Sequence, residues 1–289
     1  MFKKNFATIS IHYLAWFSGI TFMLFLQLVL GQKEFLFKEP IQVFLCLRYL
    51  LLNLAWIVSL SLPLSGLFGS SSAYISRLLN RGAQKIHHDG KTRFSGLASF
   101  LVPATALGFC IALVSLVVSL FVVPPANSRI INLVEFMKTG TATFDAPQSD
   151  REMSVGQLLE RARQTSLEGS HANEQKKFEM DLKRNQLMVE VYKKFALPLL
   201  GFLLPILGGL MALILSKRCS GHWTILLLFN TFLIILIWVL LIAGEAWVDR
   251  GILPPFASMF LTPILATIII IALLKRCGEI LASTEVVRK

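Results

Sequence analysis

The sequence predicts an all-α integral membrane protein, with six transmembrane helices split three and three by a short, mainly helical insertion. Three observations carry this reading. Apolar residues make up 55% of the chain and charged residues only 16%, against about 25% charged in a soluble domain. The apolar residues gather in six blocks, each about as long as the roughly 20 residues that a bilayer requires. Lysine and arginine are shared unevenly among the segments between the blocks, as they are in membrane proteins. A net charge of +11 and a mean hydropathy of +0.66 fit the same class. In a soluble chain that charge would raise nucleic-acid binding; here it follows from topology, and no nucleic-acid partner is expected.

The blocks lie at about 13–31, 41–66, 98–123, 195–216, 223–244 and 254–274. Pro63, Pro103, Pro205 and Pro263 fall inside them, which is tolerable where neighbouring helices re-satisfy the freed carbonyls. With the N-terminus inside, thirteen cations sit on the inner side: Lys3, Lys4, Arg77, Arg81, Lys85, Lys91, Arg93, Lys217, Arg218, Lys275, Arg276, Arg288 and Lys289. The short outer loops hold three, Lys33, Lys38 and Arg250. The bias places both termini in the cytoplasm and the long segment 124–194 outside. The chain then divides into 1–123 (three helices with a cytoplasmic loop at 67–97), 124–194 (the outer segment) and 195–289 (three helices and a cytoplasmic tail).

The outer segment opens on Pro124-Pro125, which should stop the third helix, and 126–150 has turn formers and little periodicity. Ser154 and Gln157 then form a capping box ahead of Leu158 and Leu159, and Gly169 should end that helix. A second helix starts near Asn173. Its Phe178, Leu182, Val189, Tyr192 and Ala196 make one apolar stripe leading into the fourth block, with a break or bend near Pro198.

Catalytic chemistry has no foothold. His12, His87, His88, His171 and His222 are scattered, and there is no phosphate-binding loop, zinc-protease motif or nucleophile elbow. His87-His88 is open to a metal or pH-sensing reading, beside the plainer one of an exposed loop. Cys46, Cys110, Cys219 and Cys277 show neither metal-ligand spacing nor a disulfide pattern. No enzyme activity, metal or cofactor is expected. Membrane carboxylates that would relay protons are missing, which disfavours an ion-coupled carrier.

Two basic or amphipathic stretches remain. Lys33 and Lys38, with Arg48 near the outer end of the second block, form an outer basic cluster. It suits either general headgroup anchoring or recognition of a lipid phosphate. In the cytoplasmic loop, Ile75, Leu78, Leu79, Ala83 and Ile86 have the spacing of a short amphipathic helix, which serves either as a surface-lying linker or as a dock for a cytoplasmic partner.

Taken together, VVPPANSR (122–129), EMSVGQLLERARQTSLEG (152–169) with the helix leading to FALPLLGFLLPILG, and GEAWVDRGILPPFASMFLTPILATIIIIALLKR (244–276) resemble the lipopolysaccharide-export permease family LptF/LptG. Gly251, Pro254, Pro255, Ala257 and Pro263 carry the C-terminal signature. The resemblance implies a bacterial inner-membrane subunit of an ABC-type lipid exporter, with an insertion facing the periplasm. The lipid would be lipopolysaccharide or a relative, taken from the inner membrane toward the outer one. ATP would be hydrolysed by a separate LptB-like ATPase dimer docked on Ile75, Leu78, Leu79, Ile86 and Asp89. The resemblance also implies a second permease chain, the same or different, and LptC-like and LptA-like bridge proteins. Lys33, Lys38 and Arg48 would hold lipid phosphate, and apolar residues of blocks one and five would hold acyl chains. Two departures point instead to a non-transporting scaffold or assembly factor derived from the family. Only about 25 residues, 126–150, stand where the family carries a β-jellyroll, which needs about eight strands. The family's docking glutamate falls near Gly82, leaving Asp89 as the loop's acid.

Overall fold

The computed structural model of the chain describes residues 2–32, 43–81, 93–139, 150, 153–170, 173–218 and 223–286. Almost all of these residues are helical and none lies in a strand. In chain order the helices are α1 (Phe2–Gly31), α2 (Val43–Arg81), α3 (Arg93–Val117), a π-helical turn (Val118–Val122), α4 (Val123–Thr139), α5 (Val155–Ser170), α6 (Glu174–Arg218), α7 (Trp223–Asp249) and α8 (Pro255–Val286). Six spans are long and apolar enough to cross a membrane: Asn5–Gly31, Phe44–Arg77, Leu101–Phe136, Glu174–Leu215, Trp223–Asp249 and Pro255–Gly278. The six-helix, all-α class expected from the sequence is the one observed.

Helix α6 is the centre of the molecule, packing against α2, α3, α5, α7 and α8. Lipid is as apolar as leucine, so helices in a membrane gain little by hiding apolar surface from it, and close packing of small residues takes over. Gly208 of α6 meets the backbone carbonyl of Leu67 in α2, and Gly108 of α3 meets that of Phe202 in α6; a Cβ at either position would collide with backbone. The sequence thus brings α2, α3 and α6 into direct contact, and Leu67, Leu107, Leu200, Leu204 and Leu207 fill the space around the crossings.

Two expectations are corrected. Pro124-Pro125 does not stop the third helix, which runs through the π turn into α4 as far as Thr139. Val123 N–H bonds to the Val118 carbonyl, five residues back. A turn widened in this way carries the chain into two residues that have no N–H to give, and it relieves the clash between a proline ring and the carbonyl four residues earlier. Residues 126–139, expected as loose turns, are therefore helix, and Ile130, Leu133 and Val134 pack on Tyr49 and Cys46 at the start of α2. The other correction concerns 67–81. These residues continue α2 to Arg81 rather than forming a loop with its own short helix.

Outside the membrane core, α5 and the first half of α6 form a helical hairpin. The capping box is present: Ser154 N donates to Gln157 Oε1 at 2.9 Å, and Gln157 N donates to Ser154 Oγ at 3.3 Å. Leu158 and Ala162 of α5 pack on Leu187 and Val191 of α6. Helix α6 starts where expected and stays helical through Pro198 and Pro205 to Arg218. The expected stripe is half right. Val189 and Ala196 are buried, whereas Phe178 is 61% exposed, because α6 uses a second face, Leu187 and Val191, against α5.

The α7–α8 turn explains the local sequence AWVDRGILPPF. Gly251 sits at φ +68°, a left-handed conformation that glycine adopts without strain. Its N–H bonds to the Val248 carbonyl (2.9 Å), and Ile252 N–H bonds to that of Trp247 (2.8 Å), which is the Schellman pattern closing a helix C-terminus. Pro255 then opens α8 at the position where a missing N–H costs nothing.

Candidate functional site

Among the described residues, α1 and α7 are the least covered of the membrane spans, and α3 and α8 also leave apolar surface open. None of the most apolar stretch of α1 is buried and only 22% of that of α7, against 78% for α6. Leu14, Phe22, Met23 and Leu30 project from α1, and Leu228, Phe232, Ile235, Val239 and Ile242 from α7. Such surface suits acyl chains or a second apolar helix.

Both walls hang on neighbouring residues of α2. Asn230 of α7 is fully buried, and its Nδ2 donates to Ser71 Oγ at 2.7 Å. The next residue, Ser72, receives Trp16 Nε1–H of α1 at 3.2 Å and lies 3.1 Å from His12 Nδ1. Each serine spends its own proton on the helix, Ser71 on the Phe68 carbonyl and Ser72 on that of Gly69, both at 3.1 Å. That leaves oxygen lone pairs free to accept across the helix interface. One turn back, a Cβ on Gly69 would stand 2.6 Å from Tyr13 Cα, so α1 and α2 touch backbone to backbone, and Trp16 stacks on Phe68 with centroids 4.7 Å apart. Nearer the other membrane surface, Thr21 Oγ1 donates to Ser61 Oγ at 2.9 Å. Helix α2 therefore holds both walls by polar contacts one residue apart and continues to Arg81.

At the opposite end of the bundle, Lys193 of α6 bridges Glu190 (2.8 Å) and Glu245 of α7 (2.7 Å), and Gln186 Nε2 donates to Asp249 Oδ1 at 3.1 Å. Lys194, buried between the hairpin and the membrane bundle, donates to the Met153 carbonyl. Val189 packs with Val248 and Met259. These contacts fix the α5–α6 hairpin on the α7–α8 pair.

Of the residues named from sequence, Arg48 is exposed in the second turn of α2. Lys33, Lys38, Ile86 and Asp89 lie outside the described residues, as do His87 and His88. Leu78 and Leu79 fall on the last turns of α2. Ile75 is 2% exposed and belongs to the core shared with α1, α3 and α6, so its side chain packs inside the chain. Reading for charge missed the serine–asparagine–histidine contacts. The signal was there, in Ser70-Ser71-Ser72 and in Asn230, the only strongly polar side chain of the fifth block before Glu245, because such residues in membrane helices bond across interfaces.

Residues 131–276 match the family model of the lipopolysaccharide export system permease LptF/LptG. The match runs from α4 to α8 and takes in just over half of the chain. No curated protein matches the chain.

Proposed function

We propose, because this chain belongs to the LptF/LptG family of lipopolysaccharide export permeases, that it is the membrane subunit of an ABC-type lipid exporter. Membership makes it a multi-pass inner-membrane transporter component rather than an enzyme. The finer reading is ours: the chain pairs with a second permease chain, its own copy or a relative, and the facing α1 and α7 walls enclose lipopolysaccharide or a related lipid. A separate cytoplasmic ATPase dimer drives closure and sends the lipid toward the outer membrane, where LptC-like and LptA-like proteins receive it. Both termini are cytoplasmic and the α5–α6 hairpin is periplasmic. Lys33, Lys38 and Arg48, around the loop joining α1 to α2, hold the lipid's phosphates.

The observation that supports this reading most is the pair of uncovered apolar walls tied to Ser71 and Ser72 of a single helix. Movement of α2 at its Arg81 end reaches both walls through contacts one residue apart. Leu78, Leu79, Ile86 and Asp89 would meet the ATPase there, with Ile75 anchoring that end of α2 in the core. The rival reading, a scaffold derived from the family, is favoured by the insertion: the described part of 124–173 is almost all helical, with no strand of a jellyroll.

Affinity purification of the full chain in detergent separates the two. A transporter brings a nucleotide-binding subunit with it, and Leu78→Asp with Leu79→Asp abolishes that association while the chain still inserts. A scaffold purifies without such a subunit, and an association that survives both changes places the dock elsewhere.

A further inference from the structure

A groove separate from the two walls lies between α5, α6 and the first turn of α8. It is an open groove of about 500 Å³, within the size range of small-ligand pockets. Its construction follows from helical periodicity. On α6, Leu187 and Val191 face α5 and Val189 faces α8, so the stripe Arg184, Met188, Tyr192, spaced by four, is left to line the gap. On α5, Leu158 is turned inward, Ala162 lies at the floor, and Leu159, Arg163 and Leu167 line the gap from the other side.

The groove has an apolar end and a cationic end. At the apolar end, Tyr192 meets Phe256 edge-on with ring centroids 5.6 Å apart, over Pro254 and Pro255. Phe256 lies in the first turn of the span Pro255–Gly278, so this end sits at the membrane boundary. Arg184 is eight residues before Tyr192 on one helix, about 12 Å away at 1.5 Å per residue. Arg163 and Arg184 line the groove, and no carboxylate among the described residues does. Among the described residues Arg184 pairs with Asp181 at 3.9 Å, with both side chains more than two-fifths exposed. So long and solvated a pair leaves the guanidinium open to a better acceptor.

We propose that this groove binds one anionic phospholipid drawn from the adjoining membrane surface. An acyl chain lies along Leu159, Met188 and Phe256, and the phosphate rests on Arg163 and Arg184. Continuity with the membrane boundary selects a lipid over a soluble anion, and two arginines on a lining with no carboxylate among the described residues select an anionic headgroup. The site does not rest on the transport reading, and its test needs neither an ATPase nor a second permease.

The test uses the full chain in phosphatidylcholine nanodiscs doped with phosphatidylglycerol carrying a photoreactive acyl chain, with equally tagged phosphatidylcholine in parallel. Labelled peptides are mapped by mass spectrometry. Phosphatidylglycerol labels 155–170, 184–192 and 252–256. Arg163→Gln with Arg184→Gln lowers that labelling about tenfold and leaves labelling around Phe109, on the membrane-facing side of α3, unchanged. Leu167→Glu, at a position 57% exposed, puts a carboxylate beside the arginines and lowers it independently. Equal labelling by tagged phosphatidylcholine, labelling that survives both sets of changes, or a photoreactive polyglutamate peptide labelling the groove in place of lipid would each overturn the proposal.

Discussion

Helices α6 and α7 are both long and apolar, yet one is the buried axis of the molecule and the other is mostly uncovered. Apolarity does not separate them, because in a bilayer an apolar side chain is equally well placed against lipid or protein. What separates them is the presence of small residues. Helix α6 carries Gly208, which meets the Leu67 backbone, Gly201 and Gly209, which admit the side chains of Ile111 and Tyr74, and the buried Ala212. Helix α7 has leucine, isoleucine and phenylalanine at most positions and one buried asparagine. Helix α1 resembles α7 through its outer half, and only its first turns, around Ile9 and Tyr13, enter the core. The small-residue helices form a rigid frame, and the bulky ones are hung on it by a few polar contacts, as walls that face a lipid or a partner should be.

Changes to the frame should have the largest effect. Gly208→Leu drives a side chain into the Leu67 carbonyl and Ser70, which no rotamer avoids. The expected loss is about 3 kcal/mol or more, seen as aggregation or early unfolding in detergent by size-exclusion and thermal scans. A variant of ordinary stability would mean that α2 and α6 are not held backbone to backbone.

The tie between frame and wall should be weaker. In a double-mutant cycle of Ser71→Ala and Asn230→Ala, the coupling energy should be about 0.6 kcal/mol and no more than about 1.7 kcal/mol, the range for hydrogen bonds between membrane helices. Steric-trap unfolding measures it. Coupling near zero would detach α7 from α2.

Least of all should stability respond to the wall. Phe232, 61% exposed, should tolerate Phe232→Ala within about 0.5 kcal/mol, while lipid retained through purification, measured by mass spectrometry, falls. A large loss of stability there would mean that α7 packs inside a larger core.

Most of the fold was legible because its signals are local. Block length gave the spans, Ser154 and Gln157 gave the start of α5, and Asn173 marked the start of α6. Pro124-Pro125 misled because proline reads as a helix stop, while the π turn that admits it leaves no mark in the sequence. The continuation of α2 past Gly66 was missed because Ser70-Ser71-Ser72 looks like a loop. In a membrane bundle these small side chains instead let helices approach, and they satisfy their protons on their own helix. Blocks one and five, expected to hold acyl chains, are the spans with the least buried apolar windows. Their anchorage was not anticipated, since charge was the property searched for and the anchors are neutral. Lys33 and Lys38 lie outside the described residues, and Ile75 shows how amphipathic spacing near a helix end also describes a residue turned into the core.

The central claim, that α1 and α7 are lipid-enclosing walls and not surface bathed in bulk lipid, is tested most directly by photo-cross-linking in cells that make lipopolysaccharide. A photoreactive amino acid is placed at Phe22 on α1, at Phe232 on α7 and, for reference, at Phe109 on α3, positions 65%, 61% and 58% exposed. The account predicts lipopolysaccharide adducts at 22 and 232 and none at 109. Adducts at all three positions alike, or at neither 22 nor 232, would contradict it.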